Sequence, residues 1–298
     1  MRPGPGPNTE KILKRAMEHI KSVPYGVSLR WLFYRLFQDG IYKKKEVVNG
    51  KVISDDYRYK FMWLMSRVRK ATQGEWVREG WTPTTLEDDT SEVIELAGFF
   101  RDMKDLKARP ELVADDIEIT FDPFYESERY TVIGFEARAM IKQFRFYTQG
   151  VNLFPFGGDA HISPKWKMAK HFEDAFKWYG GKPMQFLYFG DRDDKGEKIY
   201  EAAEKDIKKW CKYPIKFERC GLTKKQVNEF NLPENPEAKK PGQYQWEALT
   251  DPQAKQIILS AMADNHIDTK LIERKIKEGE RVTKQYREMF LKALSKTP

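Results

Sequence analysis

Cysteine is scarce: Cys211 and Cys220 are the two in 298 residues. Two thiols exclude a disulfide framework and a cysteine-rich zinc cluster, and they suit a reducing compartment. Four histidines are too few for a histidine-rich metal site. No apolar run approaches the roughly 18 residues a membrane span needs. The start, Met1-Arg2-Pro3-Gly4-Pro5-Gly6-Pro7, reads as a stiff polar tail with no secretory signal. Gly-x-x-x-x-Gly-Lys-Ser/Thr is missing, so the chain does not itself read as a P-loop ATPase. Internal repeats are missing too. What is present is enough apolar material for a core, with 40% hydrophobic and 14% aromatic residues. The length predicts two domains in a soluble, intracellular protein.

Charge is unevenly spread around a net +8. Residues 1–70 hold 16 basic and 6 acidic side chains, a surplus of ten. Residues 84–130 hold 14 acidic and 5 basic ones. A basic front end before an acidic stretch is the pattern of a polyanion-binding module joined to a second unit.

Periodicity divides the chain accordingly. Helices are predicted over 9–22 and from the Ser28 cap to Gly40, then a hairpin over 41–53 turning at Asn49-Gly50, then a helix over 54–72. Helix, helix, hairpin and basic helix predict a winged-helix-like DNA-binding module over 1–82. An acidic junction follows over 83–112, with a helix over 91–107. From 113 to 298 the pattern is α/β. Strands are expected at 117–121, 130–135, 151–156, 184–189 and 215–219. Helices are expected from 137, over 164–179 and over 196–210, then a loop over 231–243 and a helical tail over 252–295. Alternating strands and helices predict a parallel sheet.

In such sheets function collects where strands end. Glu136 follows the strand 130–135. Asp191 and Asp193 follow 184–189 in Gly190-Asp191-Arg192-Asp193-Asp194-Lys195-Gly196, two residues apart and so on one side of an extended segment. Three gathered carboxylates repel one another unless a cation neutralises them. Oxygen-only ligands suit Mg²⁺ or Mn²⁺. Capping of the following helices is the simpler role for each acid taken singly.

A glutamate after one strand and Asp-x-Asp after a later one resembles the Toprim fold of topoisomerases, bacterial primases and OLD-type nucleases. The resemblance spans about 128–220 and implies Mg²⁺ held by Glu136, Asp191 and Asp193. Lys195 stands near where that family more often has proline. Asp159 reads as a turn residue and His161 as a loop histidine.

The second helix reads Leu29-Arg30-Trp31-Leu32-Phe33-Tyr34-Arg35-Leu36-Phe37. Leu29, Leu32, Phe33, Leu36 and Phe37 form one apolar arc; Tyr34 falls on its margin, with Arg30 one turn before it. A tyrosine covering the helix rim accounts for this pattern. Followed by a Toprim-like region, however, it resembles the A subunit of topoisomerase VI and the related meiotic double-strand-break protein. Gln245-Trp246-Glu247-Ala248-Leu249 is similar to a Glu-x-x-Ala-Leu-like segment of that family. The resemblance implies that Tyr34 is the nucleophile of DNA strand cleavage by transesterification, assisted by Arg30, with Glu136 in the catalytic set. It also implies a homodimer, with the tyrosine of one chain facing the metal of the other, a separate ATPase subunit, and a cytoplasmic, nucleoid-associated enzyme.

Arg30, Arg35, Arg58, Lys60, Arg67, Arg69 and Lys70 are the expected DNA contacts. Tyr57, Tyr59 and Trp63 lie among them, positioned to stack on bases or sugars. Two alternatives share these residues: a metal-dependent nuclease in which water attacks, and a DNA-binding protein without catalysis.

Overall fold

Ser28 starts a helix as its position predicts, its Oγ accepting the Trp31 N–H at 3.1 Å. That helix belongs to the first of two apolar cores in the computed structural model, which describes residues 5–43, 45–48, 51–71, 73–86, 103–157, 162–236, 238 and 240–296. Around it lie α1 (Pro7–Lys21), α2 (Leu29–Gln38), a hairpin of β1 (Glu46–Val48) and β2 (Lys51–Ser54), and α3 (Met62–Arg69). One π-helical stretch, Tyr57–Phe61, leads into α3. Leu13, Ala16, Leu32, Phe33, Leu36, Phe61 and Met65 form the centre of this core. The expected order of helix, helix, hairpin and helix is present; the turn assigned to Asn49-Gly50 lies outside the described residues.

Within the acidic stretch α4 (Met103–Ala108) and α5 (Glu111–Ala114) are described; most of the helix expected over 91–107 falls outside. The segment 117–121 is not a strand. Its partner is a helix, not a sheet: Ile119 N–H donates to Thr283 Oγ1 at 2.9 Å, and Arg287 donates to the Ile117 carbonyl at 3.0 Å. Alternating apolar and polar residues satisfied their backbone on a helix flank, which periodicity cannot distinguish from a sheet edge.

The second core surrounds a parallel sheet ordered β4-β3-β5-β6: β3 (Tyr130–Phe135), β4 (Asn152–Pro155), β5 (Met184–Phe189) and β6 (Ile215–Gly221). Both β3 and β5 are buried along their whole length, as parallel strands covered on both faces are. Gly134 has no room for a side chain, because a Cβ there would come within 2.2 Å of Phe186. The connections run through α6 (Ile141–Tyr147), α7 (Ile162–Trp178) and α8 (Asp194–Trp210). After β6 come α9 (Lys224–Glu229), α10 (Asp251–Asp264) and the long α11 (Thr269–Lys296). β3 connects outward to β4 on one side, and β5 to β6 on the other. The order therefore reverses between β3 and β5, which opens a crevice at their C-terminal ends. No helix among the described residues is long and apolar enough to cross a membrane.

Candidate functional site

Both expected acidic corners lie at that crevice. Glu136, immediately after β3, is 9% exposed, and its Oε2 accepts the Asp191 N–H at 3.0 Å. Asp191 follows β5, and its Oδ1 accepts the Trp246 N–H at 2.8 Å. Asp193 caps α8, its Oδ1 accepting the Gly196 N–H at 2.7 Å. Capping and membership of the acidic group therefore coincide at this residue. Gly196 permits the approach: a Cβ there would sit 2.4 Å from the Asp191 carbonyl oxygen and 3.0 Å from Glu136 Oε2.

A fourth acid joins these three. Glu247 is 7% exposed, in the 3-10 turn Trp246–Ala248. The turn is drawn to the crevice by backbone pairing of Tyr244 with Arg192, at 2.8 and 3.0 Å, and by Trp246 on Asp191. Burial pushes the Glu136 carboxyl up to about 7, with Asp193 and Glu247 adding repulsion. Burial raises Asp191 well above the usual carboxylate range, and Glu247 and Glu136 raise it further. Glu247 is raised by burial, against the opposing pull of Arg30. Glu136 and Asp191 therefore hold their protons more tightly, chiefly through burial and further through neighbouring carboxylates.

Arg219, from β6, supports the aspartate loop from beneath. It donates to the carbonyls of Asp191 at 2.6 Å and Gly196 at 3.2 Å. Above the loop, α2 docks on the Gln245–Ala248 segment. Tyr34 donates to Gln245 Oε1 at 2.7 Å, Arg35 to the Glu247 carbonyl at 2.8 Å and Gln38 to the Ala248 carbonyl at 2.9 Å. Tyr34 thus reaches Asp191 within one chain, through Gln245 and Trp246.

The structure sets Glu136, Asp191 and Asp193 along the same crevice, with the charge of Arg30 bearing on Glu247 beside them. It places Tyr34 and Arg35 inside, at 1% and 5% exposed. The rim position read from the helix projection considered only α2's own core; the second surface, from residues 245–248, covers that margin. Burial also depresses the Arg35 guanidinium to about 10. Arg69 is directed inward as well, donating to the Pro83 and Leu86 carbonyls at 2.7 and 2.9 Å. Arg58 and Lys70 are exposed, and Arg67 is half-buried. Lys60 pairs with Asp56 at 2.6 Å. Asp159 and His161 lie outside the described residues.

Glu247 and Arg219 are the site residues that reading from the sequence missed. The signal for Glu247 was available: an acid between Trp246 and Ala248, in a segment otherwise apolar. Arg219 had none, since a single arginine in a strand resembles an edge residue.

In donor chemistry the acidic group fits a hard divalent cation, because it is all oxygen and carries repulsion that a cation would relieve. In geometry, among the described residues, no three His, Cys, Asp or Glu side chains converge closely enough to hold an ion by themselves. A large groove of about 1070 Å³ lies elsewhere, at the opposite end of the sheet beside Tyr130, Asn152 and α11, and contains none of these acids. No protein-family model, curated protein or solved structure matches the chain.

Proposed function

We propose that this chain is a Toprim-type, Mg²⁺-dependent enzyme that cleaves DNA strands at the crevice between β3 and β5. The observation that carries the reading is the acidic group of buried Glu136 and Glu247 and half-buried Asp191 at a topological switch point, with Asp193 beside it. Gathered carboxylates of this kind are costly to fold around and are characteristic of sites that meet a cation or move protons. Mg²⁺ commonly takes one or two carboxylates and completes its shell with substrate phosphates. That habit matches an acid group lacking three convergent ligands. Glu136, Asp191 and Asp193 are the residues that would hold it. When bound, the ion would supply positive charge to the phosphate and the leaving oxygen. Mn²⁺ is expected to substitute.

In the tyrosine reading, close to the topoisomerase VI A subunit, the Tyr34 oxygen bonds to phosphorus as the bond from phosphorus to the sugar oxygen breaks. The phenol proton leaves to a base. Glu136 would belong to the catalytic set through the ion it would help hold. The sugar oxygen departs as a hydroxyl, and one DNA end stays on the protein. Arg30, whose charge bears on Glu247, would steady the phosphate. A second copy of the chain and a separate ATPase subunit belong to this reading.

One observation favours a second reading, hydrolysis by water: the Tyr34 hydroxyl is buried and already given to Gln245. For Tyr34 to attack, α2 must part from Gln245. The test is incubation with supercoiled DNA and Mg²⁺, denaturation, and a search for protein-linked ends. Linked ends that vanish in Tyr34→Phe establish the tyrosine route. Cutting without linked ends establishes water. No cutting of any DNA form leaves a DNA-binding protein and defeats the proposal.

A further inference from the structure

Outside the acidic crevice, aromatic and basic side chains gather on the outer face of α3, in a geometry that sequence spacing does not show. Trp63 is 52% exposed, an expensive position for an indole. Its ring meets Trp76 edge to face, with centroids 5.7 Å apart and planes at 87°. The Arg67 guanidinium lies 4.9 Å from the centroid of each ring. Together with Ser66, Lys70 and Gln73 these groups line an open cleft of about 510 Å³. One turn earlier Tyr59 is 63% exposed, with Arg58 over its ring at 5.8 Å.

We propose that this cleft seats an unpaired base of single-stranded DNA. The polymer being DNA rests on the reading above; the unpaired base rests on the cleft. Three features select that ligand. An exposed indole offers a flat apolar face, which every nucleobase matches whatever its sequence. Arg67, held against two rings, fixes a positive charge in the cleft that attracts the backbone of a strand whose base is seated there. Tyr59, exposed four residues before Trp63 at the end that leads into α3, offers a second aromatic platform for a neighbouring unpaired base. A duplex presents its phosphates to such a surface but keeps its base faces covered. The cleft therefore discriminates by strandedness, with Lys70 and Arg58 supplying the sequence-independent attraction.

Labelled oligothymidylate and a blunt duplex of equal length, each titrated with the full chain at matched salt without divalent cation, test this. The parent chain should prefer the single strand, and oligothymidylate should quench tryptophan emission. Trp63→Ala, at an exposed position and so with unchanged circular dichroism, should lose about tenfold or more in single-strand affinity. Its duplex affinity should hold. Trp63→Phe should recover most of the loss. Equal losses for both DNA forms, or no loss for either, overturn the cleft. Because no cation is present, the result is independent of cleavage. A chain that binds oligothymidylate through Trp63 yet cuts nothing keeps the cleft and defeats the enzyme. A chain that cuts while Trp63→Ala binds like the parent does the reverse.

Discussion

Two helices of the N-terminal module, α2 and α3, are built from similar materials: aromatics, arginines and an apolar inner face. Their surroundings differ completely. In α2, Trp31 through Leu36 are all buried. In α3, Leu64, Met65 and Val68 face the core while Trp63 is 52% exposed. The difference is made by a second neighbour. α2 lies between its own core and the Gln245–Ala248 segment; among the described residues α3 packs on its own core and, through Arg69, on Pro83 and Leu86, with Trp63 on its outer face. An arginine against a carbonyl-rich turn becomes a clamp, whereas an arginine on an open face becomes a contact for solvent or ligand.

The strongest way to sharpen that contrast is to disable what α2 covers. Asp191→Asn and Glu136→Gln should each reduce cleavage of supercoiled DNA at least a hundredfold. Binding of oligothymidylate at the α3 face should be unchanged. Unaltered cleavage rates in both variants would remove the acidic group from the chemistry.

The pH response follows from the same group. Glu136 moves from an ordinary 4.5 to about 7 on folding. A carboxyl raised on folding favours the folded state while protonated. That contribution is complete below about pH 4.5 and is lost as pH rises through 7, worth about 3 kcal/mol. Urea unfolding without divalent cation should therefore find the parent less stable at pH 8 than at pH 5. Glu136→Gln should flatten the difference, and so should Mg²⁺ if it binds the folded site. A parent that gains stability over this range would contradict the assignment.

Arginine truncations compare the two helices directly. Arg35→Ala removes a buried guanidinium from the Glu247 carbonyl and leaves a cavity, so it should cost about 3 kcal/mol. Arg67→Ala, which loses its two ring contacts but leaves no buried group unpaired, should cost about 1 kcal/mol. Similar melting temperatures for the two variants would mean that α2 is not clamped.

A smaller effect is expected at the phenol. Tyr34→Phe leaves Gln245 Oε1 without its donor and should cost about 1 kcal/mol. This places any loss of covalent DNA ends well above the stability change.

The least effect on folding falls to Lys70→Ala, within about 0.5 kcal/mol. It should instead reduce the salt dependence of DNA binding by about one unit of slope. Arg69→Ala, its neighbour, should do the opposite, lowering the unfolding midpoint because the Pro83 and Leu86 carbonyls lose their donor. Reversed behaviour would show that the direction of these side chains has been misread.

Much of the architecture was legible along the chain. The strands expected at 130–135, 151–156, 184–189 and 215–219 are present within one or two residues; the central pair, β3 and β5, is apolar because a parallel strand covered on both faces must be. The corners carrying Glu136 and Asp191 followed, because strand ends are where a chain leaves the sheet. Ser28 and Asp193 were legible as caps, as a cap is a local bond between near neighbours.

What the sequence by itself determined, then, is what residues within a turn or two of one another decide: element type, element ends and the acids at those ends. Tertiary structure alone decided the rest. Tyr34 and Gln245 are 211 positions apart, and Arg35 and Glu247 are 212 apart. Helical periodicity describes one face toward one core, so a second surface arriving from elsewhere in the chain leaves no mark on it. The same docking made Glu247 a member of the acidic group, and contacts equally distant in sequence sent 117–121 to α11 instead of the sheet. In each case the deciding term is burial by a distant segment, which exists only once the chain has closed on itself.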